Sequence, residues 1–215
     1  MTADGDDQDT RRRSEFLQAL TTEHFAMQSG RSATISESAS RSSLYLTTVS
    51  SSVVALALAG QVKNLGTMFA LAILPVVFFL GLVTYGRLLQ TGVEDTIYAR
   101  AIGHIRRFYG EIDPAKAAYF RDVYSDRAGL RAMGLFRRWW QPFLTAAAMV
   151  FMVNAVVGGA FVAILISQLI GPPAWVLIVA AGVTTLVIGA AFNRHQRRAW
   201  NRMDQALPEE KLEQS

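Results

Sequence analysis

WWQPFLTAAAMVFMVNAVVGGAFVAILISQLIGPPAWVLIVAAGVTTLVIGAAFN, residues 139–193, contains no Asp, Glu, Lys, Arg or His. A helix that is apolar on every side has no face to give to water. A bilayer core about 30 Å thick takes about 20 apolar residues per crossing helix. The stretch therefore holds two crossings, divided at Gly171-Pro172-Pro173, where successive prolines lack the backbone donors that a continuing helix needs. The reading is a helical hairpin in a membrane.

Outward from that stretch, the charges of the 215-residue chain are missing from four blocks altogether. Hydrophobic residues make up 51% of the chain, and their clustering argues against an ordinary soluble domain. Between Arg41 and Lys63 lie 21 uncharged residues, and a further 23 run from Asn64 to Gly86. These form a first membrane hairpin over 43–86, with Pro75 expected to kink its second helix. The first span is the least apolar. Thr47 and Ser51 fall on one of its faces at helical spacing, a pattern that lets helices approach closely or, in a sharper reading, lines a hydrated path. The third span, from near Pro142 to near Ile170, carries Asn154 at mid-depth, with Ala155 and Gly159 at small-xxx-small spacing. The fourth, from Trp175 to Phe192, repeats the spacing at Ala181, Thr185 and Gly189.

The rest of the chain is polar. Residues 1–13 are acidic and then basic, with few apolar groups, and are expected to be a disordered tail. Over 14–42, Phe16, Leu17, Leu20, Phe25 and Met27 give a helical stripe, weakened after Gly30 by a run of serines. In 87–138, Val93, Ile97, Ile102, Ile105, Phe108 and Tyr109 mark one helix. Asp113-Pro114 reads as the cap and first position of a second helix through Tyr124. Residues 194–215 form a basic and then polar tail. The Lys and Arg residues number five before the first span, ten in 87–138 and five after the fourth, against only Lys63 in the turns. That asymmetry puts both termini and the middle segment in the cytosol, under a bacterial plasma membrane. The fold class expected is all-α: a polytopic membrane protein with four transmembrane helices as two hairpins, and cytosolic amphipathic helices.

For chemistry the sequence offers little. It has no cysteine, and therefore no disulfide, thiol nucleophile or thiolate metal site. His24, His104 and His195 form no metal-ligand spacing, no glycine-rich phosphate loop is present, and the spans carry no ionisable residue except tyrosines at their edges. Neither cofactor, metal, catalysis nor nucleic-acid binding is expected. The net charge of +4 comes from arginines gathered at membrane edges. Trp139, Trp140, Trp175 and Trp200, with Arg137, Arg138, Arg194, Arg197 and Arg198, are the expected interface anchors, the arginines meeting anionic lipid at the cytosolic face. Tyr45 and Tyr85 stand at the same edge.

LTTEHFAMQSGRSATISESASRSSLYL (20–46) and RAIGHIRRFYGEI (100–112) resemble segments of actinobacterial-type four-helix membrane proteins. In layout the chain is also similar to SLATT-type membrane effectors of bacterial conflict systems, which join membrane helices to cytosolic helices and are thought to make pores. Those effectors have one membrane hairpin where this chain has two, and no residue role passes across. The functional expectation is a non-enzymatic homo-oligomer acting through helix packing as scaffold, sensor or effector. The alternatives are a channel with the first span lining the path and, more weakly, an enzyme at the cytosolic rim near His104 and Glu111.

Overall fold

The computed structural model describes residues 3–62, 64–112, 114, 115, 119 and 145–206. Among them the chain is all-helical. It forms α1 (Ala3–Ala59), α2 (Leu65–Ile112), α3 (Ala146–Leu169) and α4 (Ala174–Ala206). All four are long and apolar enough to cross a membrane, which makes this a multi-pass membrane protein. At 57 and 48 residues, α1 and α2 are more than twice as long as the about 20 residues that a crossing requires. In α1 and α2 the apolar block and its polar neighbour are thus one continuous helix.

That continuity takes in two stretches whose sequence speaks weakly for a helix. Residues 3–13, expected to be disordered, are the opening turns of α1. Asp9 precedes Arg13 by the four residues that favour a helical acid–base pair. The serine-rich stretch after Gly30 is helical too, because its hydroxyls turn back onto the helix. Thr34 donates to the Arg31 carbonyl at 2.8 Å and Ser42 to the Ser38 carbonyl at 2.8 Å. The α2 helix likewise runs through Pro75 without ending there.

The connections from α1 to α2 and from α3 to α4 are short. Between α1 and α2, Gly60 N–H closes on the Leu56 carbonyl at 2.9 Å, and Asn64 takes a positive φ of 68°. A Cβ at Gly66 would meet Gly60 Cα at 2.8 Å, so the turn needs a residue without one. The α3 helix opens at Thr145, whose hydroxyl accepts from Ala148 N–H at 3.1 Å, and ends before Gly171, at φ 60°. The break therefore lies at the predicted Gly-Pro-Pro. Pro142, the expected start of the third span, lies outside the described residues.

The chain divides into two compact units, Met1–Ser36 with Glu94–Trp139, and Glu37–Val93 with Trp140–Ser215. The polar parts of α1 and α2 separate from their apolar parts at 36/37 and 93/94, several residues beyond the span edges expected at 42/43 and 86/87. The second unit keeps those extra turns because its core includes Leu88 and Leu89 as well as Tyr45, Leu74, Tyr85 and Phe151. In the first unit, α1 and α2 run antiparallel. Gly30 lies against the Tyr98 ring, Arg31 pairs with Asp95 at 2.9 Å, Thr21 meets the Tyr109 hydroxyl at 3.3 Å, and Phe16 meets Phe108 edge-on. Of the expected stripes, Ile102 and Ile105 are buried, while Phe16 and Phe25 remain exposed. The helix expected over 114–124 lies almost wholly outside the described residues.

Candidate functional site

Among the fully buried side chains of the second unit stands one amide, Asn154, in the middle of α3. Its Oδ1 accepts from the Tyr45 hydroxyl of α1 at 3.2 Å. On the other side lies Gly81 of α2, where a Cβ would collide with the carboxamide. Three helices thus converge on one amide, and the glycine is what lets α2 close on it. Asn154 Nδ2 is buried without a hydrogen-bond partner among the described residues. That is a cost of about 1–3 kcal/mol in a dry setting, set against about 0.6–2 kcal/mol for an interhelical hydrogen bond. The contact therefore specifies an arrangement more than it stabilises one. Tyr45 and Tyr85, which the sequence suggests as interfacial, both point inward. The Tyr85 hydroxyl donates to the Phe192 carbonyl at 3.1 Å, with its ring stacked on Phe192 at 4.9 Å.

The small residues of α3 and α4 fall into two groups. Thr185 donates to the Ala155 carbonyl at 3.3 Å. A Cβ at Gly159 would run into the Thr185 hydroxyl and lie 2.6 Å from the Ala181 carbonyl. Ala155, Gly159, Ala181 and Thr185 therefore meet in one close contact. Gly189 is elsewhere, with open space where its Cβ would be. On α1, Thr47 and Ser51 are exposed; Ser51 lines a shallow groove with Ser50, Val54, Ala55 and Leu58. Thr48 and Ser52 bond back to the Leu44 and Thr48 carbonyls at 2.9 and 2.7 Å. Thr47, Ser50 and Ser51 make no hydrogen bond among the described residues.

At the polar ends, Glu37 accepts from Arg41 at 2.7 Å and from Arg87 at 2.8 Å. Those two hydrogen-bonded guanidiniums hold its carboxyl below the usual carboxylate range. His24 in the first unit sits beside Tyr109 and within 2.8 Å of Gln28 Nε2. Burial, and then the Arg106 charge, lower its pKa. Trp175 is exposed, Trp200 is half-buried 3.8 Å from where a Gly92 Cβ would be, and Arg194, Arg197 and Arg198 are exposed. Trp139, Trp140, Arg137 and Arg138 lie outside the described residues. Among the described residues no group of three or more His, Asp or Glu is placed to hold a metal.

No family model matches the chain, and no curated protein or solved structure is significantly similar to it.

Sequence reasoning missed Gly81, the partnership of Tyr45 with Asn154, and Glu37 between its arginines. For Gly81 a signal existed, a glycine set among bulky residues away from the ends of its span, where Gly66 and Gly86 lie. For Glu37 the sequence signals only one partner, since Arg41 stands four residues on at helical ion-pair spacing while Arg87 is 50 residues away. What the arrangement offers is shape and hydrogen bonding. Its buried polar groups are amides and hydroxyls held between helices, and the Tyr85 hydroxyl, which donates to the Phe192 carbonyl, also lies 3.4 Å from His195 Nδ1.

Proposed function

We propose that this is a non-enzymatic protein of the bacterial cytoplasmic membrane that works through helix packing and self-association, as a scaffold, sensor or effector. Its four spans form two hairpins, with both termini and the 87–138 segment in the cytosol. The arginine asymmetry of the sequence supports that orientation.

The observation that carries self-association is the outer face of α1. Thr47, Ser50 and Ser51 present hydroxyls that the described helices leave uncovered, and acyl chains cannot hydrogen-bond them. The same face on a second copy supplies donors and acceptors in matching positions, as a two-fold contact requires. The chain is free of cysteine, so Ser51→Cys is a clean test. In lipid, oxidation should give a disulfide-linked dimer, and Ala55→Leu in that background should reduce it severalfold. Absence of the crosslink in both lipid and detergent would refute self-association through this face.

A second reading uses the same face. Several copies with Thr47 and Ser51 turned toward a common axis would line a hydrated path. Asn154, held against Gly81 and Tyr45, is not available for that role. Protein in sealed liposomes should then conduct ions, and Thr47→Val with Ser51→Val should reduce the current. Vesicles that stay tight with protein present would exclude the pore.

A further inference from the structure

Two groups of arginines in this chain stand in contrast. Arg31, Arg41 and Arg87 face carboxylates within 2.9 Å. Arg194, Arg197, Arg198 and Arg202, all exposed on α4, pair with no carboxylate among the described residues. Their positions on the helix are not random. Phe192, Gln196, Ala199 and Met203 recur at three- and four-residue steps and turn inward, Gln196 and Met203 being buried. Arg194, Arg198 and Arg202 recur at steps of four on the opposite side, flanked by Arg197.

That basic face has a continuation. Traced back along α4, the same stripe passes through Val187 and Val183, exposed at 62% and 54%, with Leu186 beside it. One helical face therefore changes from apolar to predominantly cationic. From Val187 to Arg194 is seven residues, about 10 Å of helix rise. A single phospholipid has that layout, with chains that cover valines and, about that far along, a phosphate. A nucleic acid or an acidic peptide would use the arginines but has nothing to lay on Val183 and Val187. The geometry points to a binding face for anionic phospholipid on α4, where headgroup phosphates bridge Arg194, Arg197 and Arg198 and acyl chains lie along Val187 and Val183. Guanidinium forks suit phosphate oxygens. Arg41 and Arg87, already answered by Glu37, offer much less. This inference rests on the membrane reading above and names one lipid-binding surface within it.

The test uses the full chain, which has no native cysteine. Asn201, exposed on the arginine side of α4, is changed by Asn201→Cys and carries a fluorophore; Val183→Cys is made in a second protein. Each is reconstituted in phosphatidylcholine vesicles containing a small fraction of phosphatidylglycerol or phosphatidylcholine with a nitroxide near the top of the acyl chain. At position 201, labelled phosphatidylglycerol should quench more than labelled phosphatidylcholine at equal mole fraction. That preference should fall by about fivefold per arginine removed in Arg194→Gln, Arg197→Gln and Arg198→Gln, and should shrink with added salt. Arg11→Gln with Arg12→Gln and Arg13→Gln, an equal loss of charge, should preserve it.

Equal quenching by the two lipids overturns the inference, as does a preference that survives the α4 substitutions or is lost equally with the Arg11–Arg13 set. Inorganic phosphate that abolishes the preference when chloride at equal ionic strength does not would make this a site for free phosphate, and also overturns it. The Val183 reporter separates the two layers of argument. Quenching there by either labelled lipid, in the parent and in the α4 variants alike, shows an inserted and intact protein. No quenching there from either lipid would remove the membrane reading itself.

Discussion

The helices α3 and α4 are consecutive in the chain, comparably apolar and free of charge through their spans, yet their surroundings are opposite. Asn154, Ala155, Val157, Gly158 and Gly159 of α3 are all buried, whereas no residue in the most apolar stretch of α4 is. Hydrophobicity cannot make that distinction in lipid, since acyl chains are as apolar as leucine and burial gains nothing on that account. Side-chain volume makes it. Small residues at several angles around α3 let Tyr45 of α1, Gly81 and Phe78 of α2, and Thr185 of α4 reach it. The α4 helix carries Ile178, Val183, Leu186 and Val187 on its outer side, exposed between 54% and 73%. The lesson is that hydropathy tells which helices enter a membrane, and the distribution of small residues tells which one the others surround.

The strongest way to break this contrast is to put the same large side chain on both helices. Gly159→Leu must displace Thr185 and the Ala181 backbone, and should cost at least about 1–3 kcal/mol of stability. Gly182→Leu, where nothing lies within 4 Å of the added Cβ, should leave stability unchanged or raise it by up to about 1 kcal/mol through helix propensity. Denaturation in mild detergent, followed by circular dichroism, measures both. Similar losses at the two positions would mean that α3 is not the surrounded helix.

A smaller effect is expected where α3 meets α1. Tyr45→Phe removes the donor to Asn154 and should cost about 0.6–2 kcal/mol. In the Asn154→Ala background it should cost close to nothing, and a double-mutant cycle over the pair tests that coupling directly. Smaller again is Thr185→Val, which gives up the hydroxyl bond to the Ala155 carbonyl while keeping the shape. A loss near 0.6 kcal/mol is expected. If it exceeds the Tyr45 effect, the weight of polar contact lies between α3 and α4 rather than between α3 and α1.

How much of this was legible in the sequence follows the same division. Absent charges and Gly171-Pro172-Pro173 mark the helices and the break between α3 and α4, because lipid and proline act on local sequence. The spacing of Ala155 with Gly159 and of Ala181 with Thr185 flags a close contact for the same reason. Which seams close within the chain is a different kind of information. Thr47 and Ser51 share the small-residue pattern of Ala155 and Gly159 and yet face outward, and nothing local separates the two cases. Composition also misled at the N-terminus. Residues 3–13 have too few apolar groups to form a core, but a helix that continues an existing one escapes the cost of nucleation.

The smallest predicted effect carries the comparison to the charged ends, where Arg31 and Arg41 of α1 and Arg87 of α2 meet carboxylates and the α4 arginines meet none among the described residues. Glu37, between Arg41 and Arg87, titrates below its ordinary value of 4.5 in the folded protein. A carboxyl depressed on folding contributes stability that is fully present above its unfolded pKa and disappears as pH falls through the folded one. The thermal midpoint in detergent should therefore hold steady down to pH about 5 and decline below it. Glu37→Gln should lower the plateau slightly and flatten the decline, since a neutral amide has no proton to take up. The Arg194, Arg197 and Arg198 substitutions should leave the shape of the curve unchanged, because no described carboxylate depends on them. If they flatten it as Glu37→Gln does, the α4 arginines are paired after all, and the distinction between answered and unanswered arginines collapses.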